Sequence, residues 1–469
     1  MGISSFTKHF AVIAGLIEFL FCTGYFFGWA NLEKIFIQEG FFECLPNSDE
    51  SCNQKYELLK IFKNCSLFFA VPALLAGLIF DKFGTAVSRL IGTSLFGLGL
   101  VLIAFSTPEE PWGLQTGVPT TAIGASFLLT SNFQLPNIYE TGRTAALNLF
   151  NGALDSSALT ALLLLSLYKM IGMKLTFLLY GIMCVYQLIR TIFQLPFDNV
   201  PFPVPANWEW ITPFAKLRMP KKDVYHDLES EKMVQTDSSG SEISSDEKED
   251  HHEEVTFKAC ATRRIYISAN LFFVVNCFRV YWYLASVGGS INETIRRSDE
   301  NMTSEEVMDL TDQMTTVFGV IQSLAIFLAP INGIIIDQVL SKTSNKYLAV
   351  LISVTCCNVL GVAFSFMEVA ESIELQYLTM VLSALHRAFT FACHTALIGI
   401  LFPHHHFGKL FGVSQAFSAI ASFMVDYAFR LEHVVGFYQV NVWTAFTQVA
   451  MMYHPIVCYL EYRQRLQKD

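Results

Sequence analysis

The chain has 469 residues, of which 52% are hydrophobic and only 15% charged, with a formal net charge of −10. A soluble domain carries about a quarter charged residues. The shortfall, with repeated apolar runs of about 20 residues, excludes an ordinary soluble protein and predicts an all-α polytopic membrane protein, with no nucleic-acid partner expected.

Twelve spans are predicted, near 9–30, 58–80, 88–106, 113–135, 143–168, 173–195, 264–287, 311–337, 346–367, 374–402, 407–430 and 436–459. The opening MGISSFTKHF runs straight into the first span, so it reads as a retained helix and not a cleaved leader. A myristoylation pattern fails at Phe6. In the polar loop that follows, Cys44 and Cys52 are suited to a disulfide if that loop is extracellular, with reduced loop cysteines as the alternative. Most other cysteines lie in apolar runs, where they act as small hydrophobes.

Span two ends in GLIFDKFGTAVSRL, which sets Gly77, Asp81, Lys82, Gly84 and Arg89 at a turn. Gly77 permits close helix approach, Gly84 permits a tight reversal, and Asp81 is placed to accept from backbone donors or a basic neighbour. The elements recur after span eight in NGIIIDQVLSK, with Gly333 and Asp337. A repeat at matching places in two six-helix halves is the layout of a rocking transporter, with a charged latch made and broken as the halves move.

Span five carries LFNGALDSS. At about 100° per residue, Asn148, Asn151, Gly152 and Asp155 fall on one narrow stripe with Ser156 at its edge. A charge at a span centre costs about 2.5–3.5 kcal/mol on insertion scales, so Asp155 is expected either at the seam between the halves or in contact with substrate. By the same argument Glu18 in span one, Arg279 in span seven and Arg387 in span ten stand out, with a structural pairing inside its own half as the alternative for Glu18 and for Arg387.

The chain thus divides into residues 1–196, a six-helix bundle; 197–262, a cytoplasmic linker that is partly acidic and disordered; and 263–469, a second six-helix bundle with a cytoplasmic tail. The linker opens on VPFPVP, a stiff extended element. Its later TDSSGSEISSDEKEDHHEE reads as a solvated tract, with phosphorylation of its serines as the other reading. Loop charges place Lys82, Arg89, Arg143, Arg263, Arg264, Lys342, Lys346 and Lys409 on one side, which is then cytoplasmic with both termini. The sequons at Asn292 and Asn301 fall outside on this scheme and agree with it as glycosylation sites, while Arg296 and Arg297 beside them run against the trend. The run His404, His405, His406 does not converge on one ion, and no metal or cofactor is expected. No nucleophile elbow, P-loop or zinc-helix motif supports an enzyme or an ATP-driven pump.

The first latch resembles the loop signature of the major facilitator superfamily. IEFLFCTGYFFGW, LFNGALDSS, VPFPVP, LQYLTMVLSALHRAF and FPHHHFGKLFG, in that order, further resemble solute carrier family 43, facilitative transporters of large neutral amino acids and, in one branch, purine nucleobases. The resemblance to the nucleobase branch is the stronger, although Gln134-Leu135-Pro136 and Asn276 to Arg279 depart from it. It implies spans one, four, seven and ten around a central cavity, making Glu18, Asn132, Gln134, Arg279, Trp282 and Arg387 candidates to line it. It implies sodium-independent nucleobase flux across the plasma membrane without an obligatory protein partner. Amino acid transport is the alternative, and a transporter-like receptor or scaffold, including a regulator of fatty acid flux, the reading from another class.

Overall fold

The computed structural model describes residues 5–43, 54–139, 142–202, 204–205, 207–218, 256–298, 302–370, 372–403 and 406–467. Cys44, Cys52, Asn301, His404, His405 and the acidic tract within 219–255 lie outside the described residues. Every regular element among those described is helical, the solution open to a backbone that must satisfy its own hydrogen bonds in lipid.

Seven helical stretches are long and apolar enough to cross a membrane, or eight if the bent pair Thr7–Thr23 and Tyr25–Gln38 forms one span. Two of the seven run to 51 and 52 residues, Gln54–Ala104 and Arg143–Gln194. A single crossing needs about 20 residues. Each of the two breaks at a glycine in the left-handed region, Gly84 at φ +82° and Gly172 at φ +77°, where any other side chain would be strained. Gly84 is doubly constrained, because an added Cβ would lie 2.9 Å from the Phe197 carbonyl oxygen.

Other expected spans are interrupted. Span one bends by 49° past Gly24, span two restarts at Pro72, the first position of its second helix, and span eight is Ser304–Ser323 followed by Ala325–Thr343. The helix Arg264–Ser298 outruns the predicted end of span seven. Asn292 therefore sits on a helix and not in a loop, its Oδ1 accepting from Arg296 Nε at 2.9 Å. The same extension accounts for Arg296 and Arg297, which occupy the last turn, where cations complement the helix dipole.

The first and second halves meet along two crossed helices, Arg143–Ser156 and Ala325–Thr343. Gly152 lies against the second half, its added Cβ falling 2.8 Å from the Ala325 carbonyl oxygen, and Gly333 lies against the first, 2.8 Å from Ala145 Cα. Without a hydrophobic drive between helices in lipid, such small residues let backbones approach closely enough to pack. Ser156 adds a direct bond, its Oγ accepting from Ile326 N at 2.7 Å.

Leaving the first half, residues 197–202 form a strap across its latch-side end. Ala86 N donates to Phe197 O at 3.2 Å, Thr85 Oγ1 to Asp198 O at 3.0 Å, and Asn199 Nδ2 to Phe80 O at 3.0 Å. Val200 is held on both sides, by Gln134 Oε1 at 2.6 Å and Asn137 Nδ2 at 3.0 Å.

Candidate functional site

A charge buried in a helical bundle must find a partner, and three clusters do so in different ways. Inside the first half, Glu18 Oε2 accepts from Arg89 Nη2 at 2.6 Å and from Arg190 Nη1, while Oε1 accepts from Asn132 Nδ2 at 2.8 Å. Arg89 Nε also donates to Thr191 Oγ1 at 2.9 Å. This corrects two expectations. Glu18 and Asn132 are fully buried and line neither of the vestibules described below, and Arg89 is no part of a surface latch but fully buried. The physical reason is mutual neutralisation, since one carboxylate serves two guanidiniums that would otherwise be stranded.

The second half holds its own cluster. Arg279 donates to Ser365 Oγ at 2.8 Å and to Glu368, with its guanidinium 4.1 Å from the Phe364 ring centroid. Trp282 Nε1 donates to Asn441 Oδ1 at 2.7 Å. Arg279 and Trp282 are buried and bonded to neighbours within their own bundle, and neither lines either of the vestibules described below. Gln134 lines the latch-side vestibule, and its Nε2 donates to Thr85 Oγ1 and Ser131 O, both at 2.8 Å.

The third cluster crosses between halves. Arg387 Nε donates to Asp155 Oδ1 at 2.8 Å, and the guanidinium lies 4.9 Å from the ring centroid of Phe27 in the first half. The stripe predicted on span five is thus the seam, with Asn148, Asn151, Asp155 and Ser156 all buried along it.

The latch aspartates follow the same cross-half logic. Asp81 lies beside the first turn of the helix Phe407–Val435, where a Cβ added to Gly408 would stand 3.5 Å from its Oδ1 and Lys409 supplies positive charge. Gly77 approaches the same turn, its added Cβ 3.5 Å from Gly408 O. Asp337 lies beside the Thr144 hydroxyl and the Ala145 N–H, in the first turn of the helix Arg143–Ser156. Each aspartate thereby sits at the positive end of a helix in the opposite half. Lys82 is exposed, over the Phe83 ring at 5.2 Å, and Gly333 belongs to the seam, because its lack of a side chain is used against Ala145.

Two vestibules lie between the halves. The latch-side one, about 310 Å³, is lined by Asp81, Phe133, Gln134, Arg143, Phe202 and Phe411 among others. The far one, about 300 Å³, is lined by Trp29, Glu33, Tyr56, Leu284, Gly288 and Phe429 among others. Asp155 is twelve residues beyond Arg143 on one helix, about 18 Å at 1.5 Å per residue. The Asp155–Arg387 pair lines neither vestibule. On the far side the halves also meet through Lys34–Asp312 at 2.9 Å and Lys63–Asp426 at 3.3 Å.

Arg190, Glu368 and His386, which bonds Asn276 Oδ1 through Nε2 at 2.6 Å, were not among the residues singled out from sequence. Arg190 carried a usable signal, a charge within a predicted span; Glu368 stood one residue past a predicted span end.

Two helical bundles meeting along a glycine-rich, ion-paired seam, with a vestibule at either end, define a membrane transporter and not an enzyme. The chain belongs to the major facilitator superfamily, whose family model matches residues 65–425. It is 26% identical over 437 residues to the Bos taurus equilibrative nucleobase transporter 1, covering 88% of this chain and 87% of that protein. It is 22% identical over 473 residues to the Homo sapiens large neutral amino acids transporter small subunit 3, covering 86% and 84%. These are the two kinds of transporter that the sequence resemblance named. Among solved structures, a POT family transporter superposes with a TM-score of 0.61 at 13% identity, covering 97% of this chain and 96% of that one. The human organic anion transporter MFSD10 superposes at 0.59 and 12% identity, covering 96% and 99%; both likenesses speak to fold alone.

Proposed function

We propose that this chain is a facilitative, sodium-independent, alternating-access transporter of purine nucleobases at the plasma membrane. It has twelve spans in two halves, residues 1–196 and 263–469, and cytoplasmic termini. The observation that carries the transport mechanism is the reciprocal latch: Asp81 lies beside the first turn of a second-half helix while Asp337 lies beside the first turn of a first-half helix. Two contacts of modest strength, one from each half to the other, are what a rocking motion can release together. Helix-end contacts are each worth about 0.3–1 kcal/mol, up to about 2 when partly buried, and exposed ion pairs such as Lys34–Asp312 about 0–1 kcal/mol. Opening either vestibule therefore costs a few kcal/mol, within the range that differential substrate binding supplies.

The nucleobase assignment draws support from the similarity to the bovine nucleobase transporter along most of both chains. A flat heterocycle suits aromatic faces and a few edge hydrogen bonds. A second reading, large neutral amino acids, is favoured by the Asp155–Arg387 pair, whose charges complement an ammonium and a carboxylate, and by the amino acid transporter relative. Uptake of labelled adenine and labelled leucine in sodium-free buffer at two pH values separates them. Background adenine uptake with robust leucine uptake refutes the nucleobase reading. Uptake of neither despite surface expression moves the chain to the receptor or scaffold class.

A further inference from the structure

An arginine and a carboxylate commonly meet fork to fork, with two parallel N–H···O bonds. The Asp155–Arg387 pair uses half of that geometry. Arg387 Nε serves Asp155 Oδ1 at 2.8 Å and Nη1 reaches Gln322 Oε1 at 3.4 Å. Arg387 Nη2 and Asp155 Oδ2 are buried and have no partner, as are Asn151 Nδ2 and both polar atoms of the Asn148 amide. Buried polar atoms in native proteins are nearly always satisfied, so a cluster of unused ones on a single seam calls for a cause.

Close to this cluster, Phe27 of the first half and Tyr281 of the second present near-parallel rings, with centroids 6.2 Å apart and planes inclined by 18°. Arg387 stands over the Phe27 ring. A flat ring placed between two others needs their planes about 7 Å apart, two carbon contact distances of about 3.5 Å each. Because the rings belong to opposite halves, the rocking that opens a vestibule also parts them.

We infer that the unused half of the Asp155–Arg387 fork reads the edge of a planar heterocycle that carries a hydrogen-bond donor and acceptor side by side, with Phe27 and Tyr281 on its two faces. The inference rests on the nucleobase reading and specifies how the base is recognised. Asp155 Oδ2 accepts from an N–H of the base, Arg387 Nη2 donates to the adjacent ring nitrogen or carbonyl oxygen, and Asn151 Nδ2 supplies a further donor. A base bound this way touches both halves at once, so its recognition is coupled to their relative position.

Adenine offers such edges at N6–H with N1 or N7 and at N9–H with N3. The test is competition against labelled adenine uptake by the full chain, using N6,N6-dimethyladenine and 9-methyladenine, which each block one type of edge. One analogue should compete at least about tenfold more weakly than adenine, the loss expected for one hydrogen bond to a charged group, while the other competes normally. Equal competition by both overturns the inference. In parallel, Phe27→Leu should raise the KM for adenine severalfold at unchanged surface expression; an unchanged KM in Phe27→Leu removes the ring sandwich. Absence of adenine uptake by the unaltered chain is a different failure, which overturns the nucleobase reading and this inference with it.

Discussion

Glu18→Gln keeps the shape of the side chain and removes its charge. In the folded protein that carboxylate is completely buried and accepts from two guanidiniums and one amide. After the change Arg89 and Arg190 face each other across a neutral group, with one former acceptor oxygen replaced by an amide that donates. Breaking a buried ion pair by removing one partner costs about 3–5 kcal/mol, and the geometry places this cluster at the upper end because two cations lose one shared anion. Stabilities of this order leave little margin, so surface expression should fall strongly and the purified protein should melt well below the unaltered one. Thermal unfolding in detergent, followed by aggregation of the purified protein, measures the effect. Arg190→Gln in the same chain should restore part of the loss by returning the cluster to one cation and a neutral partner, a non-additivity of at least about 0.5 kcal/mol. A Glu18→Gln protein that expresses and melts normally but fails to transport would refute the reasoning and return Glu18 to the substrate pathway.

Asp81→Asn and Asp337→Asn should each reduce transport with surface expression retained, and both should increase labelling of a cysteine placed at Asn137 in the latch-side vestibule; unchanged labelling would remove the latch. Gly333→Val sets a branched side chain against Ala145, whose Cα is 2.8 Å from the added Cβ, and overpacking of this kind costs about 1–3 kcal/mol; lower thermal stability with the latch-side vestibule more accessible is expected. Lys34→Glu should alter stability by less than about 1 kcal/mol because its partner Asp312 is well exposed, and melting within a degree or two of the unaltered protein checks this.

Features that depend on spacing along one helix were legible in the sequence. The stripe from Asn148 to Ser156 follows from helical periodicity, and the structure places it on the seam. The two latch aspartates were found by their repeat, although which helix end each would meet depends on the other half. What periodicity cannot supply is the partner of a buried charge. Glu18, Arg89 and Arg190 come from three separate spans, and only their packing reveals that one carboxylate holds two arginines. Helix ends misled in both directions. Glu368 lies just outside a predicted span and so carries no buried-charge signal, while the polar composition at 288–298 reads as a loop around Asn292 and conceals a continuing helix.

The strap at residues 197–202 decides where a pull on the connector is felt. Its hydrogen bonds run to Phe80, Thr85, Ala86, Gln134 and Asn137, so tension arriving from beyond residue 202 is shared among the ends of spans two, three and four. The end of span six shares the load as well, because Trp210 Nε1 donates to Gln194 O at 2.8 Å and Phe214 packs on Phe193. The connector is moored to the mouth of the first bundle, and the bundle moves with it as one body.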